Sequence, residues 1–395
     1  MKRLLILLLL AGCTQPAPLS PSRPSMRELV ELLAGDRCEG RMTGEPGEAL
    51  AADLIEGAWP RGLEPFLPDG ARQPFEFKHA NTAIKGTNVI GCVKGTDRPY
   101  DIVIIGAHYD HLGKDQKGIH HGADDNASGT AVLIELAHRF AAKPCSRTIV
   151  IAHFSGEELG ILGSKAFAGR VPGTYSMVAM LNMDMVGRMK ENKLVVLGAD
   201  TSPSWESILK DANTGGLALG LGKGGTGPSD HTSFYLKNVP VLHFFTGAHA
   251  DYHKPSDTAE KLNYDGMAQV ADLVEAVARR VADSRERLAF QKSTADVAPK
   301  EGTPPPSNAR PSLGLMFDYS DMSVIRIDGV TSEGPGEKAG VKVGDQIVKL
   351  NGRELNGLQE YSDRFFALKP GDVIELTLLR DGKTVTVKAT VGAKQ

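Results

Sequence analysis

A chain of 395 residues, 41% of them hydrophobic, is long enough for two domains, each with its own buried core. Lys plus Arg number 45 against 48 Asp plus Glu, and this near balance, with a formal net charge of −3, excludes the basic excess typical of nucleic-acid binders. Beyond the N-terminus no apolar run approaches the roughly 18 residues that a spanning helix needs.

The first residues read as a targeting segment: Lys2 and Arg3 are positive, Leu4 to Leu10 are apolar, and Ala11 and Gly12 are small. Cys13 follows directly. The arrangement resembles a bacterial lipoprotein signal, which implies lipidation of Cys13 and anchoring to a membrane. Thr14 is not an acidic retention residue, so the resemblance implies the outer membrane, facing the periplasm. The polar, Pro-rich run from Thr14 to Pro24 suits a tether, and residues 1–25 form signal and tether. The alternative is an ordinary secretory signal with an incidental cysteine. Cys38, Cys92 and Cys145 remain, and an odd number cannot all pair within one chain. Cys92 and Cys145 lie beside predicted strands and could bridge in an oxidising compartment; the sequence leaves this open. None sits in a Cys-x-x-Cys pattern, which argues against thiolate metal binding.

Residues 26–292 alternate strand-like and helix-like segments. Ile102 to Ile105 and Ile149 to Ala152 are buried-strand runs, with weaker candidates at Val178 to Met183 and Val239 to Phe245. Leu133, Leu136, Ala137 and Phe140 predict a helix over 130–140, and Val270, Leu273, Val274, Val277 and Val281 a longer one over 264–288. This alternation predicts an α/β domain with a mixed, largely parallel sheet flanked by helices. Sites in such sheets gather beyond the strands' C-terminal ends.

Polar clusters fall at those places. His108-Tyr109-Asp110 follows the first strand; residues two apart share a face, so His108 can reach a metal while Asp110 fixes its ring. Asp124-Asp125-Asn126 sits in a small-residue turn before a helix, where adjacent carboxylates repel unless a cation is present. Glu157-Glu158 follows the strand 149–154, and Asp184 interrupts an apolar run, where an unpaired carboxylate costs about several kcal/mol. His253 lies in a loop before the long helix. Two histidines and three carboxylates, His108, Asp125, Glu158, Asp184 and His253, suit Zn²⁺ and less well Mn²⁺ or Co²⁺. They are too many for one catalytic zinc and suit two ions sharing a carboxylate. His79, His138 and His153 read as surface or packed residues. His111, His120 and His121 are not taken as ligands, and His243 and His249 are unassigned.

In this order the motifs resemble the M28 family of zinc-dependent peptidases over roughly residues 35–290, and Glu39-Gly40-Arg41-Met42-Thr43-Gly44 resembles its N-terminal signature. The resemblance implies that Asp125 bridges two Zn²⁺ ions, that His108 and Asp184 hold one, and that Glu158 and His253 hold the other. It implies that Glu157 is the general base, that Asp110 supports His108, and that Ser229 to Phe234 form a loop beside the site. The oxyanion donor is unsettled: Thr226 appears where a tyrosine is expected, leaving His231 or a zinc. The implied activity is peptide hydrolysis, foremost by an aminopeptidase, with a carboxypeptidase or dipeptidase as the alternative. Glutaminyl cyclases share the fold with one zinc, but the complete two-metal set favours hydrolysis.

Residues 293–311 are polar and Pro-rich and read as a linker. Residues 312–395 form a small β-rich unit, with strands at 323–325, 346–348 and 373–379 and a hairpin signal at Asp381-Gly382. Ser312-Leu313-Gly314-Leu315-Met316, Gly336 to Gly340, Val343 to Ile347 and Asn351-Gly352 resemble a PDZ domain. Leu313, Gly314, Leu315 and Met316 would then form its carboxylate-binding loop, and the implied partner is a C-terminal peptide added as a strand. A third function follows: a peptide-binding protein whose catalytic domain is inactive, which the intact ligand set and Glu157 argue against.

Overall fold

The apolar runs of the sequence form the middle of a nine-stranded sheet. The structure is a computed structural model and describes residues 23–79, 82–247, 249–293, 310–318, 324–331, 334–365 and 368–394. Cys13 with the segment around it, and residues 294–309, lie outside the described residues.

In chain order the strands are β1 (Glu64–Pro65), β2 (Arg72–His79), β3 (Thr82–Val93) and β4 (Arg98–His108), then a short ribbon of β5 (Lys114–Asp115) and β6 (Gly118–Ile119). They continue as β7 (Arg147–Phe154), β8 (Ser176–Met183), β9 (Lys193–Leu197), β10 (Ala218–Leu221) and β11 (Val241–Phe245). The sheet runs β1-β3-β7-β4-β8-β11-β9-β10, with β2 paired to β3. Its centre, β7-β4-β8-β11, is parallel, while β1, β2 and β3 and the β11–β9 pair are antiparallel. The sheet is therefore mixed, with a parallel centre and a further parallel pair, β9–β10, at one edge.

Both faces of that centre are covered, which is why β4 and β7 read as unbroken apolar runs. Alternation sends Val103, Ile105, Ile149 and Ile151 to one core and Ile102, Ile104, Val150 and Phe154 to the other. The first core is closed by α1 (Met26–Leu33), α2 (Pro46–Gly57), α3 (Gly129–Ala142), α5 (Trp205–Ala212) and α7 (Tyr264–Asp283). The second is closed by α4 (Leu162–Arg170) and α6 (His231–Tyr235), through Phe167 and Phe234. At α1 a capping box joins Ser25 and Glu28, satisfying backbone donors at the helix start.

The long helix ends at Asp283 rather than near 288. Buried Arg147 donates to the carbonyls of Val281, Ser284 and Glu286 at 2.6, 2.7 and 3.1 Å, and so draws the chain out of helical register. Leu288 still packs against the core, so its apolar character reports burial and not helix. Arg147 also meets Asp101 at 3.1 Å, tying the end of α7 to β4.

The C-terminal unit has its own sheet, core and topology. Its strands are β12 (Arg310–Ser312), β13 (Leu315–Asp318), β14 (Ile325–Val330), β15 (Gln346–Leu350), β16 (Arg353–Glu354), β17 (Val373–Arg380), β18 (Lys383–Thr390) and β19 (Gly392–Lys394). An antiparallel sheet runs β13-β14-β15-β17-β18 with β16 on β15, and β12 pairs with β19. Asp381 and Gly382 link β17 to β18 with φ of 48° and 74°, the mirror-image turn that a two-residue hairpin prefers. Helices α8 (Pro335–Lys338) and α9 (Leu358–Phe365) complete the unit. Arg380 grips Asp345 with two bonds of 2.6 and 2.7 Å and holds the carboxyl below its usual range, burial opposing it.

Candidate metal centre

The four central parallel strands end at one edge of the sheet, and the polar clusters lie just beyond. β4 ends at His108, β7 runs into Ser155 to Glu158, β8 into Asp184, and β11 into the loop that carries His253. The order of strands thus brings distant residues into one place.

Each donor is fixed by its surroundings. His108 turns Nδ1 toward the carbonyl of Asp110 at 3.2 Å, which leaves Nε2 facing outward. Asp125 sits in the turn before α3, where Asn126 bonds the carbonyl of Met183 at 2.9 Å and accepts from the amides of Gly129 and Met185. That turn is thereby stitched to the end of β8. Asp184 follows, and its Oδ2 accepts the Ser229 hydroxyl at 2.8 Å. Asp110 is fully buried; its oxygens accept the amides of Glu157 and Glu158 at 3.2 and 3.4 Å and the Thr43 hydroxyl at 3.0 Å. Asp110 therefore supports both His108 and the acidic pair.

The distances between donors are informative. His108 Nε2 stands 3.3 Å from Asp125 Oδ1 and 3.3 Å from Asp184 Oδ1. His253 Nε2 stands 3.2 Å from Asp125 Oδ2 and 3.1 Å from Glu158 Oε2. Two donors about 2.0–2.1 Å from one tetrahedral zinc lie about 3.3 Å apart. All five candidates come together, with Asp125 contributing one oxygen to each group. Asp125 Oδ2 is buried yet accepts no hydrogen bond among the described residues. An orphaned buried oxygen of this kind fits a cation.

Charge repeats the message. Burial would raise the Asp125 carboxyl, but His108, His253 and His111 outweigh it and hold it well below the usual range. Burial and Asp125 push Glu158 up, but His111 and His253 bring it down to about 2. Burial opposes a charge on His253, yet Asp125 and Glu158 raise it to about 10. Protonated imidazole thus supplies the positive charge that divalent ions would bring, and metal binding would release those protons. Glu157 differs. Burial raises its carboxyl well above the usual range, His108 opposes this, and Asp184, Glu158 and Asp230 reinforce it. A raised carboxyl beside a ligand set is the profile of a proton carrier.

Three residues come into the site that the sequence motifs did not assign. His111, not taken as a ligand, places Nδ1 2.7 Å from Glu158 Oε1 and 3.9 Å from Asp125 Oδ2. Tyr252 stacks on His253 with ring centroids 3.8 Å apart. Burial raises its phenol, and so do Asp125, Glu158, Glu157 and Asp184, although 45% of the residue stays exposed. Arg41, inside the signature segment, is fully buried and donates to the carbonyls of Leu33, Tyr109, His121 and Gly122 at 2.7–2.8 Å. It clamps the segments on either side of the loop between His108 and Asp125. Only the signature pointed to Arg41.

The other candidates lie around this centre. His231 is buried and stacks on His243 at 4.6 Å, and Thr226 is half-buried in the glycine turn nearby. His249 bonds buried Asp124 at 3.1 Å, and His243 bonds Asn182 at 3.1 Å. His153 is packed in the core, where burial lowers its imidazole to about 3. His120 and His121 bond Asp115 and the carbonyl of Ala34. His138 is partly buried on the carbonyl of Ala58, and the His79 side chain lies outside the described residues. Cys38, Cys92 and Cys145 are all free thiols, so Cys92 and Cys145 do not bridge.

A family model for peptidase family M28 matches residues 88–278. The chain belongs to that family. A PDZ domain model matches residues 311–391, so the C-terminal unit is a PDZ domain. The M28 chain is 32% identical to aminopeptidase YwaD of Bacillus subtilis over 203 residues, which are 48% of this chain and 43% of YwaD. It is 30% identical to the YfbL protein of Escherichia coli K12 over 226 residues, 47% of this chain and 68% of YfbL. Among solved structures, the LapA aminopeptidase of Legionella pneumophila superposes with a TM-score of 0.56 over 66% of this chain and 71% of LapA, at 19% identity, a likeness of fold. The chain spans less than half the length of YwaD.

Zinc should stabilise the protein, since it binds donors that converge only in the fold. At about a hundredfold over its Kd, one site adds about 2.7 kcal/mol. Calorimetry with and without a chelator measures this, and an unchanged unfolding midpoint would count against a metal centre.

Proposed function

We propose that this M28 chain is a two-zinc aminopeptidase that releases N-terminal residues from peptides. One observation carries the reading: five donors meet at zinc-ligand spacing around a shared Asp125, with the raised carboxyl of Glu157 beside them. His108 and Asp184 would hold one ion, Glu158 and His253 the other, and Asp125 both. Mn²⁺ or Co²⁺ are possible substitutes. Such ions supply a Lewis acid and lower the pKa of water toward neutrality.

The chain's own residues do the rest. Asp110 sets the ring of His108 and orients the turn carrying Glu157 and Glu158. Glu157 takes the proton from the attacking water and delivers it to the leaving amine nitrogen. Tyr252 joins His231 and Thr226 as a candidate oxyanion donor, because its ring stacks on the ligand candidate His253. The relative YwaD is named as an aminopeptidase.

The PDZ domain would capture the C-terminal end of a peptide. β13 lies at the end of its sheet, where a further strand could be added, and Phe317 on that strand packs against Tyr361 of α9 at 5.2 Å. Lipidation at Cys13 would hold the protein at the outer membrane, facing the periplasm. Cys13→Ser should then move the protein from the membrane fraction to the soluble one.

Glu157→Ala should keep its zinc and lose about 10²–10⁴-fold in kcat. Tyr252→Phe should lose about 10²–10³-fold in kcat with KM little changed. Near-normal turnover in either variant would remove that residue from its role. Peptides blocked at one end test the substrate: cleavage confined to free-amine peptides and abolished by chelator is expected. Cleavage of amine-blocked peptides would select the carboxypeptidase reading, and no zinc-dependent cleavage at all would select the binding protein.

A further inference from the structure

Glu158 has two oxygens, and its neighbours treat them differently. Oε2 lies 3.1 Å from His253 Nε2, at the spacing of two donors on one zinc. Oε1 lies 2.7 Å from His111 Nδ1, clearly shorter than that spacing and normal for a charge-assisted hydrogen bond. A carboxylate oxygen can only accept, so Nδ1 of His111 carries the hydrogen.

The ring of His111 is built into place. Its amide donates to the carbonyl of Arg41 at 3.2 Å. Its ring is buried and stands edge-on to His253, with centroids 5.8 Å apart. Gly122 lies against its other side: a Cβ there would fall 2.6 Å from both Cγ and Cδ2 of the imidazole. Gly122 also has φ of +56°, so both space and backbone demand glycine. Meanwhile Asp110, the preceding residue, accepts the amide of Glu158 at 3.4 Å. Adjacent residues thus hold Glu158 by its backbone and by one carboxylate oxygen.

We propose that His111 is a positioning residue that holds Glu158 as a one-oxygen ligand, with Oε2 turned toward the ion shared with His253 and Asp125. This rests on the two-zinc reading. The hydrogen bond does two things: it removes Oε1 from competition for the ion, and it stops the carboxylate from rotating. Nδ1 of His111 gives its hydrogen to Oε1 and so does not itself donate to the ion, while the buried Nε2 has no hydrogen-bond partner among the described residues.

Zinc titration of the purified full-length chain against a chromophoric chelator, together with the absorption spectrum of the Co²⁺-substituted protein, tests this. The wild type is expected to bind two ions. His111→Ala should weaken one of them about 10–100-fold and leave the other unchanged. His111→Asn places an amide N–H where Nδ1–H stood and should restore most of that affinity, with a wild-type Co²⁺ spectrum. An asparagine variant as weak as the alanine one, with a spectrum showing one fewer nitrogen donor, would make His111 a ligand and overturn the proposal. Two ions bound to His111→Ala at wild-type affinity would overturn it as well. A wild type that binds fewer than two ions would instead overturn the two-zinc reading beneath it.

Discussion

Like charges gathered in a place of low dielectric repel, and the peptidase domain is organised around holding them there. Asp125, Glu158, Asp184 and Glu157 share one cleft, with Asp110 fully buried beside them. Such a group persists only if the frame is rigid and positive charge is near. The frame comes from parallel strands that end together and from Asp110, which bonds both amides of the acidic pair. Fixed positive charge comes from Arg41, whose guanidinium feels Asp125, Asp110 and Asp257 from behind the loops it clamps. Burial still lowers its pKa, so the cation is held at a cost that the four carbonyl bonds offset.

Much of this was legible in the sequence because the chemistry sits next to strong patterns. β4 and β7 announce themselves as apolar runs and β8 more weakly, and His108, Glu158 and Asp184 lie at or just beyond the ends of these three strands, with Asp125 just before α3. The mixed α/β class and the Asp381-Gly382 hairpin were readable for the same reason: short-range rules decide them. What escaped depends on distant contacts. His111 and Tyr252 stand beside assigned residues in sequence, and only the fold shows which way each ring turns. The antiparallel β2–β3 hairpin carries polar residues on an outer strand, so it lacks an apolar signature. The end of α7 is set by Arg147, well over a hundred residues earlier, and no local rule could place it.

The two domains solve different problems with different sheets. The parallel centre of the first is covered on both faces, so its functional groups emerge at an edge. The PDZ sheet is antiparallel and leaves β13 at its margin, where main-chain groups are available to another strand. One domain carries chemistry in side chains that must converge within a fraction of an ångström. The other offers a backbone edge, which tolerates many sequences. On the proposed function, a peptide would be held by a loose criterion and processed by a strict one.

Asp257 joins two of the loops. Its carbonyl accepts the amide of Ala123 at 3.1 Å, and its Oδ2 accepts the amides of Asp124 and Asp125 at 2.8 and 3.1 Å. The segment bearing His253 is thus latched to the turn bearing Asp125, and neither swings without the other. Departure of an ion from between them demands a concerted opening that breaks several bonds at once. Were zinc held there as proposed, this latch would slow its exchange, a kinetic hold on the metal separate from the strength of its binding.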